Sequence, residues 1–260
     1  MAGSRYAYVR DFELADVALP RTYLVVRIDG KGFHNRHGFT KPNDMNALEL
    51  MNEAARHVMR EFKGHITLAF GESDEYSKLV SHIVSLFTSA YVFCWSKYMK
   101  TPLEVPPSFD GRLVMYPTSK EVRDYFSWRQ ADTHINNLYN TVFWALVQEG
   151  QKTEREAHEV LKGTVSADKH EILFQQFGMN YDKLPAFYRK GTTLVWAPTY
   201  DPGRTKPKTE LRTLHVDIIG ASFWTPCELR PPTLADDGLA YFERPDRLEA
   251  DGLGASILNP

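Results

Sequence analysis

A chain of 260 residues, 43% of them hydrophobic, is long enough for one large domain or for one domain with a substantial extension. Its 31 basic and 33 acidic residues give a net charge of −2, which excludes a globally basic nucleic-acid-binding surface and leaves only a local patch for a polyanion. Cys94 and Cys227 lie far apart without a CxxC pair, which argues against a disulfide scaffold or zinc site and predicts reduced thiols in the cytoplasm and/or nucleus.

The first predicted strand, residues 23–28, is β-branched and apolar and is expected to stop at Asp29. The next segment, residues 30–34, has two glycines that leave backbone N–H groups uncovered, with Lys31 and His34 beside them. Open amides and cations suit a phosphate, and the carboxylate of Asp29 adds a ligand for a metal ion. The stretch therefore predicts a metal-nucleotide site, although taken alone it favours an ordinary tight turn.

A second group of acids follows the next predicted strand. Residues 41–44 form a helix-start signal, and the helix leads to an apolar strand at residues 66–70, after which come Asp74 and Glu75. If the two strands are neighbours in one sheet, Asp29 and Asp74 lie side by side on its rim, where paired carboxylates bind a divalent cation. We prefer Asp74 as the second ligand and Glu75 as a supporting one. A polar hairpin with surface acids is the alternative.

A hairpin at this acidic turn needs a returning strand, but apolar residues at helical spacing begin directly after Lys78 and continue to Cys94. No residues are left over to form the strand. We hypothesise that a segment between Ser77 and Lys78 is missing from the 260 residues.

The third predicted strand, residues 113–116, precedes a long helix. A capping-box pattern that begins at Thr118 opens the helix, which we place at residues 121–149 with a break near Gln130. Its apolar faces are supplied by Trp128, Ile135, Leu138, Val142, Phe143 and Leu146.

The same helix is rich in amide and imidazole side chains, which are poor helix formers. These residues are His134, Asn136, Asn137 and Asn140. One interpretation is hydrogen bonding to a nucleotide or an RNA end, for which Arg129 is a further donor. The other is a solvated polar face.

The last third of the chain predicts shorter elements. Helices are expected from the capping box at Thr153 to Gly163 and from Ser166 to Gly178. Arg189 and Lys190 precede a strand at 194–196 and either contact phosphates or form an exposed basic turn. The segment 198–208 is expected to be a flexible or basic linker, 215–224 a short closing element, and the tail beyond Pro231 weakly structured.

Several motifs follow one another in a specific order. They are Arg27-Ile28-Asp29-Gly30 with Phe33-His34, Lys41-Pro42-Asn43-Asp44, Ser73-Asp74-Glu75-Tyr76-Ser77, residues 125–141, Ala167-Asp168-Lys169, Tyr188-Arg189-Lys190-Gly191-Thr192 and residues 215–220. From about Ser4 to Trp224 the ordered series resembles the eukaryotic tRNA-His guanylyltransferases. Single motifs of this kind are weak evidence, whereas the ordered set is specific.

The resemblance implies an α/β (α+β) fold, a polymerase- and cyclase-like palm with a mainly antiparallel sheet and a helical C-terminal extension. We place the palm at residues 1–150 and the extension at 151–260. The implied reaction adds a guanylate to the 5′ end of tRNA-His. ATP first adenylylates the 5′-monophosphate, the 3′-hydroxyl of GTP then attacks that end, and pyrophosphate is finally removed. A pair of Mg²⁺ ions, a homotetramer and no membrane partner complete the expectation.

Site residues follow from the same resemblance. Asp29, the Gly30 carbonyl and Asp74 hold metal, and Glu75 assists in catalysis. The triphosphate is cradled by Asp29, Gly30, Lys31, Gly32, Phe33, His34, Ser73 and Asp74. Candidate nucleotide or tRNA contacts are Lys41, Asn43, Asp44, Arg129, His134, Asn137 and Lys190.

The chain departs from this family's pattern in connections after Arg36, Ser77 and Trp196, each of which is short. We interpret all of them as missing segments, because they fall in loops; real deletions would put triphosphate binding and sheet integrity in doubt. Two other functions stay open. A palm-fold nucleotide cyclase would share the turn carboxylates, and a non-catalytic tRNA-binding protein would carry Asp29 and Asp74 as surface acids.

Overall fold

The computed structural model describes residues 6–12, 18–32, 37–71, 80–199, 208–225 and 250–258. Its strands are Tyr23–Gly30 (β1), Leu68–Gly71 (β2), Phe109–Tyr116 (β3), Thr192–Thr199 (β4) and Lys208–Leu214 (β5). Its α-helices are Met45–Glu61 (α1), Val80–Tyr98 (α2), Ser119–Gln148 (α3), Glu154–Leu161 (α4), Ser166–Phe177 (α5), Ala186–Lys190 (α6), Ala221–Trp224 (α7) and Ala255–Leu258 (α8). Short 3₁₀ helices occupy Ala7–Phe12 and Tyr181–Lys183.

The strands form two antiparallel sheets. β1 pairs with β3, and β2 pairs with β4, which in turn pairs with β5. The prediction that Asp29 and Asp74 lie side by side assumed that β1 and β2 are neighbours in one sheet. In the described residues they are not, because β1 is hydrogen-bonded to β3 and β2 to β4. The predicted mixed α/β fold with antiparallel sheets is confirmed. Since β4 and β5 complete the sheet of β2, strands from both sides of residue 150 build it.

Both sheets nevertheless lie in one layer, because alternate side chains of β1 and β2 enter the same two cores. Val26 and Ile28 of β1 and Ala69 of β2 pack against α1 and α2. On the opposite face, Val25 of β1 and Phe70 of β2 pack against α7 and the first half of α3. Period-two alternation places a strand's neighbouring side chains on opposite faces, so helices cover both sides of the sheet layer.

The long helix α3 connects this layer to a helical subdomain. Its second half, with Leu138 and Leu146, packs on α4 and α5 in a third core. No break occurs near Gln130, so that prediction is wrong; the Gln130 side chain is buried and bonded to neighbouring backbone. Trp128 and Ile135, expected on apolar faces, are 54% and 55% exposed.

Local signals located several termini correctly. Asp44 caps α1, Thr153 forms the predicted capping box, and Gly178 ends α5 in the left-handed conformation at φ +61°. Ser166 is the first residue of α5, and its N-cap is Val165.

Other predictions need correction. The segment expected as a linker, residues 198–208, includes the end of β4 and the first residue of β5, a strand that the local sequence pattern does not predict. In the tail, Ala250 and Ile257 are buried in the second core.

The hypothesis of missing segments is wrong, because the full sequence continues uninterrupted from Ser77 to Lys78. Within the residues that the structure describes, no helix is both long and apolar enough to cross a bilayer.

Candidate active site

Asp29 lies at the end of β1, inside the strand rather than after it. The ladder with β3 continues through Asp29 and Gly30, which lie opposite Asp110 and Phe109. Beyond it, the Lys31 N–H donates to the Ser108 carbonyl at 3.0 Å. The turn therefore begins two residues later than expected, and one of its supposedly open amides is already bonded.

Charged side chains alternate along this face of the β1–β3 ribbon. An Arg27 Nη2 lies 3.4 Å from Asp29 Oδ2, and Arg112 Nε lies 3.6 Å from Asp110 Oδ2. The Asp29 side chain is 49% exposed and that of Asp110 is 59% exposed. Both carboxylates thus remain accessible to solutes while a guanidinium on the same strand contacts one oxygen of each.

The donor atoms at this end of β1 fit Mg²⁺. A carboxylate and a backbone carbonyl are hard oxygen ligands, and Mg²⁺ commonly takes one or two carboxylates together with substrate phosphates. Among the described residues, no group of three or more Asp, Glu, His or Cys is placed to hold a metal. The other predicted members of the site, Phe33, His34, Ser73, Asp74 and Glu75, lie outside the described residues.

Two predicted contact residues meet directly. Asn43 Nδ2 donates to Asn137 Oδ1 at 2.9 Å, and Asn137 Nδ2 donates to the Tyr181 hydroxyl at 2.9 Å. Asn137 is only 2% exposed. Its amide therefore joins α3 to the segment before α1 and to the 3₁₀ helix after α5, which explains an asparagine inside a helix.

The Asp44 side chain is the N-cap of α1. Its carboxylate accepts hydrogen bonds from the N–H groups of Thr40, Asn46 and Ala47. Burial and, after it, the charge of Asp44 raise the pKa of Tyr188 in α6.

Gln130 fixes the backbone of Lys190. Its Nε2 donates to the carbonyls of Lys190, at 2.9 Å, and Val216, at 2.8 Å, and its Oε1 accepts from the Ile218 N–H at 2.8 Å. The side chain is 3% exposed, so all these bonds are shielded from water. Lys190, predicted to lie in a basic turn, is the last residue of α6, and α3 holds its main chain.

The remaining candidate contacts lie along α3. The His134 ring packs edge-on against Tyr181 with centroids 5.4 Å apart, and burial, followed by the nearby His170, lowers the pKa of His134. Arg129 Nη1 donates to Asp132 at 3.1 Å and its guanidinium lies 4.9 Å from the exposed Trp128 ring. Lys41 Nζ lies 6.0 Å from the Trp144 ring centroid.

The structure thus joins Asn43 and Asp44, Asn137, and the segment 188–190 into one neighbourhood beside α3. Sequence reasoning missed two residues. The helix is predicted to break near Gln130, and the predicted third strand begins at residue 113, after Asp110. The alternation of Phe109, Gly111 and Leu113 with polar residues is the signal that extends that strand back to Asp110.

Two family models match the chain. The model described as tRNAHis guanylyltransferase covers residues 6–117, and the model described as Thg1 C terminal domain covers residues 120–216. A curated relative, the tRNA(His) guanylyltransferase of Schizosaccharomyces pombe, is 51% identical over 252 residues, covering 86% of this chain and 96% of the relative. The match is longer than the matched part of this chain, so it includes positions of the relative that this chain lacks.

Solved structures agree with the sequence comparison. The crystal structure of the Saccharomyces cerevisiae tRNA(His) guanylyltransferase is 43% identical with a TM-score of 0.71, covering 74% of this chain and 93% of that one. A bacterial Thg1-like protein in complex with ATP shares the fold with a TM-score of 0.64 at 23% identity, covering 84% of this chain and 94% of that one. The chain belongs to the tRNA(His) guanylyltransferase family of nucleotidyltransferases.

Proposed function

We propose that the chain adds a guanylate to the 5′ end of tRNA-His by the series of reaction steps that its family resemblance implies. An oxygen of the tRNA 5′-monophosphate attacks the α-phosphorus of ATP and releases pyrophosphate. The 3′-hydroxyl of GTP then loses its proton and attacks the activated 5′-phosphorus, with AMP as the leaving group. Hydrolysis finally removes pyrophosphate from the new 5′ end. The placement of Asp29 at the exposed end of β1, in a chain of this family, carries the proposal.

Asp29, the Gly30 carbonyl and Asp74 would hold two Mg²⁺ ions, with Glu75 in support. When bound, Mg²⁺ neutralises charge that develops on the phosphoryl oxygens and aligns the attacking and leaving groups. The protein's own part is to keep Asp29 in place. Its backbone is fixed by the β3 ladder and its Oδ2 is contacted by Arg27, which leaves Oδ1 for a ligand.

The segment after β1 would cradle the triphosphate through Lys31, Gly32, Phe33 and His34, with Ser73 from the acidic turn. Gly32 adopts φ +69°, a left-handed conformation that lets a main-chain N–H face an anion without a side chain in the way. Structures of a bacterial Thg1-like protein in complex with ATP and with GTP support the proposal that this chain binds the same nucleotides.

The surface beside α3 would contact the tRNA. Lys190, Arg129 and Lys41 supply cations, and His134 supplies an imidazole, for contacts with phosphates and bases. Asn43, Asp44 and Asn137 stabilise the structure under this surface, because their side chains make hydrogen bonds within the protein. The net charge of −2 makes such a local patch necessary.

We further propose a homotetramer in the cytoplasm and/or nucleus, with a palm at 1–150 and an extension at 151–260. On the outer face of α2, Val92 is 45% and Phe93 80% exposed, an apolar surface suited to contact between copies. Sedimentation analysis of Phe93→Ser tests this: the variant should dissociate to smaller species.

The activity is tested with 5′-labelled, monophosphorylated tRNA-His incubated with ATP, GTP and Mg²⁺. We expect extension by one nucleotide through an adenylylated intermediate. Asp29→Ala should abolish both products, while Asp124→Ala, which removes an exposed acid paired with Lys120, should keep them. If the folded wild-type protein binds tRNA-His but never forms either product, it is a tRNA-binding protein without catalysis; GTP converted to a cyclic nucleotide would instead indicate a cyclase.

A further inference from the structure

Asp110 stands directly opposite Asp29 in the β1–β3 ladder. Directly opposite residues of antiparallel strands share a face of the sheet, with Cβ atoms about 4.5 to 5.5 Å apart. Two like charges in such positions destabilise the pair unless something offsets them. The sequence alone assigned no role to Asp110.

The next pair along the same face is also of like charge, because Arg27 lies opposite Arg112. Each arginine contacts the acid of its own strand, at 3.4 Å for Arg27 and Asp29 and at 3.6 Å for Arg112 and Asp110. The contacted atom is Oδ2 in both acids. The ribbon therefore presents two carboxylates to one side, each held by a guanidinium from the side away from the strand end.

We propose that Asp110 is a positioning residue of the metal site at Asp29. Its carboxylate adds negative charge beside the ligand, so that a divalent cation relieves the repulsion between both acids and binds more tightly than to Asp29 alone. The inference rests on the proposed function, since it requires that Asp29 holds the metal. Asp110 acts through charge, and we assign it no direct contact with substrate.

Arg112 gives the proposal a test by sign. Asp110→Asn and Arg112→Gln both remove the Asp110–Arg112 ion pair, so any purely structural role of that pair predicts the same change in both variants. An electrostatic role predicts opposite changes, because the first removes a negative charge near the metal and the second a positive one. Both side chains are largely exposed, at 59% and 74%, which favours folding of either variant.

The measurement is a titration of the full chain with Mn²⁺ in the absence of nucleotide and tRNA. The electron paramagnetic resonance signal of the free ion reports how much Mn²⁺ is bound. Asp110→Asn should weaken binding about 10-fold, the lower end of the effect of residues that support metal ligands. Arg112→Gln should tighten it by about two- to three-fold. Asp124→Asn is the matched control, an exposed acid paired with Lys120 on another element, and should bind as the wild type does.

Each outcome separates this inference from the proposed function. If Asp29→Asn binds Mn²⁺ as well as wild type, the metal is not held at Asp29 and the proposed site itself fails. If Asp29→Asn loses binding while Asp110→Asn matches Asp124→Asn, only the role of Asp110 is overturned. Equal shifts in Asp110→Asn and Arg112→Gln also overturn it. Should circular dichroism show that Asp110→Asn is unfolded, Arg112→Gln decides alone: unchanged or weaker binding rejects the proposal.

Discussion

Asn43 and Asn137 are 94 positions apart in the sequence and share a hydrogen bond of 2.9 Å. Asn137 in turn donates to the Tyr181 hydroxyl, so a single buried amide links α3 with the segment before α1 and with the 3₁₀ helix Tyr181–Lys183. The Asn137 side-chain amide accepts one of these hydrogen bonds and donates the other, so replacing this residue breaks both.

Asn137→Ala should lower the free energy of unfolding by about 1 to 3 kcal/mol, because it leaves the Asn43 amide and the Tyr181 hydroxyl without this partner. Urea denaturation followed by tryptophan fluorescence measures the change. The exposed neighbour Asn136 provides the control, since Asn136→Ala removes an amide from the same helix without breaking the network. Equal stability of the two variants would contradict the role given to Asn137.

Gln130→Met keeps the approximate size of the side chain and removes its bonds to Lys190, Val216 and Ile218. The buried backbone groups then lack partners, and we expect a loss of about 2 kcal/mol or more in the free energy of unfolding. Hydrogen exchange of residues 188–191 should also increase. Gln175→Met on the exposed face of α5 serves as the control. If Gln130→Met is as stable as Gln175→Met, the hydrogen bonds of Gln130 do not stabilise the fold.

Stability at low pH should depend on Glu53. Burial disfavours its charged form, but the hydrogen bond and charge of Arg56, with Lys97 and Arg60, outweigh burial and hold the pKa below its usual 4.5. A depressed pKa in the folded state stabilises the protein above the unfolded-state value, and that contribution disappears as the pH falls through the folded-state pKa.

Glu53→Gln should therefore be less stable than wild type at neutral pH and should lose less stability between about pH 5 and about pH 3. Thermal unfolding across this range provides the measurement. Glu154→Gln, which alters an exposed acid, should retain the wild-type slope. Parallel curves for Glu53→Gln and wild type would show that Glu53 does not titrate with folding.

Gly111 lets α2 approach the ribbon that carries Asp29. A Cβ at this position would lie 2.4 Å from Val84 Cγ2 and 2.9 Å from Val80 Cγ1. Gly111→Ala should destabilise the fold by about 1 to 3 kcal/mol through overpacking. In a double-mutant cycle the substitution should cost less on a Val84→Ala background. An unchanged cost would mean that the clash with Val84 is not the cause.

Elements with strong local signals were predictable. The apolar strand β1, the capped helix α1 and the capping box at Thr153 each depend on neighbouring residues, and the structure confirms them. Asp29 is proposed as the first acid of the candidate site for the same reason, because it directly follows an apolar run; its role as a site residue stays a prediction.

Features that depend on distant partners were not predictable. β5 alternates charged residues with threonine and leucine, and its extended form is stabilised by pairing with β4. Gln130 lies where a break in the helix is predicted, but its side chain bonds to residues 60 to 88 positions away in the sequence. Asp110 has a role only because of the register between β1 and β3, which no local pattern specifies.

The division of the strands into two sheets bears on how ligand binding is felt through the protein. Asp29 belongs to the β1–β3 sheet, while Asp74 follows by three positions the last residue of β2, which belongs to the other sheet. A cation held by both acids would brace two hydrogen-bonded units that, in the described residues, meet through side-chain packing. Since a ligand that binds only the folded state stabilises what it connects, amide-exchange protection in β3 and β4 should rise together as the site fills.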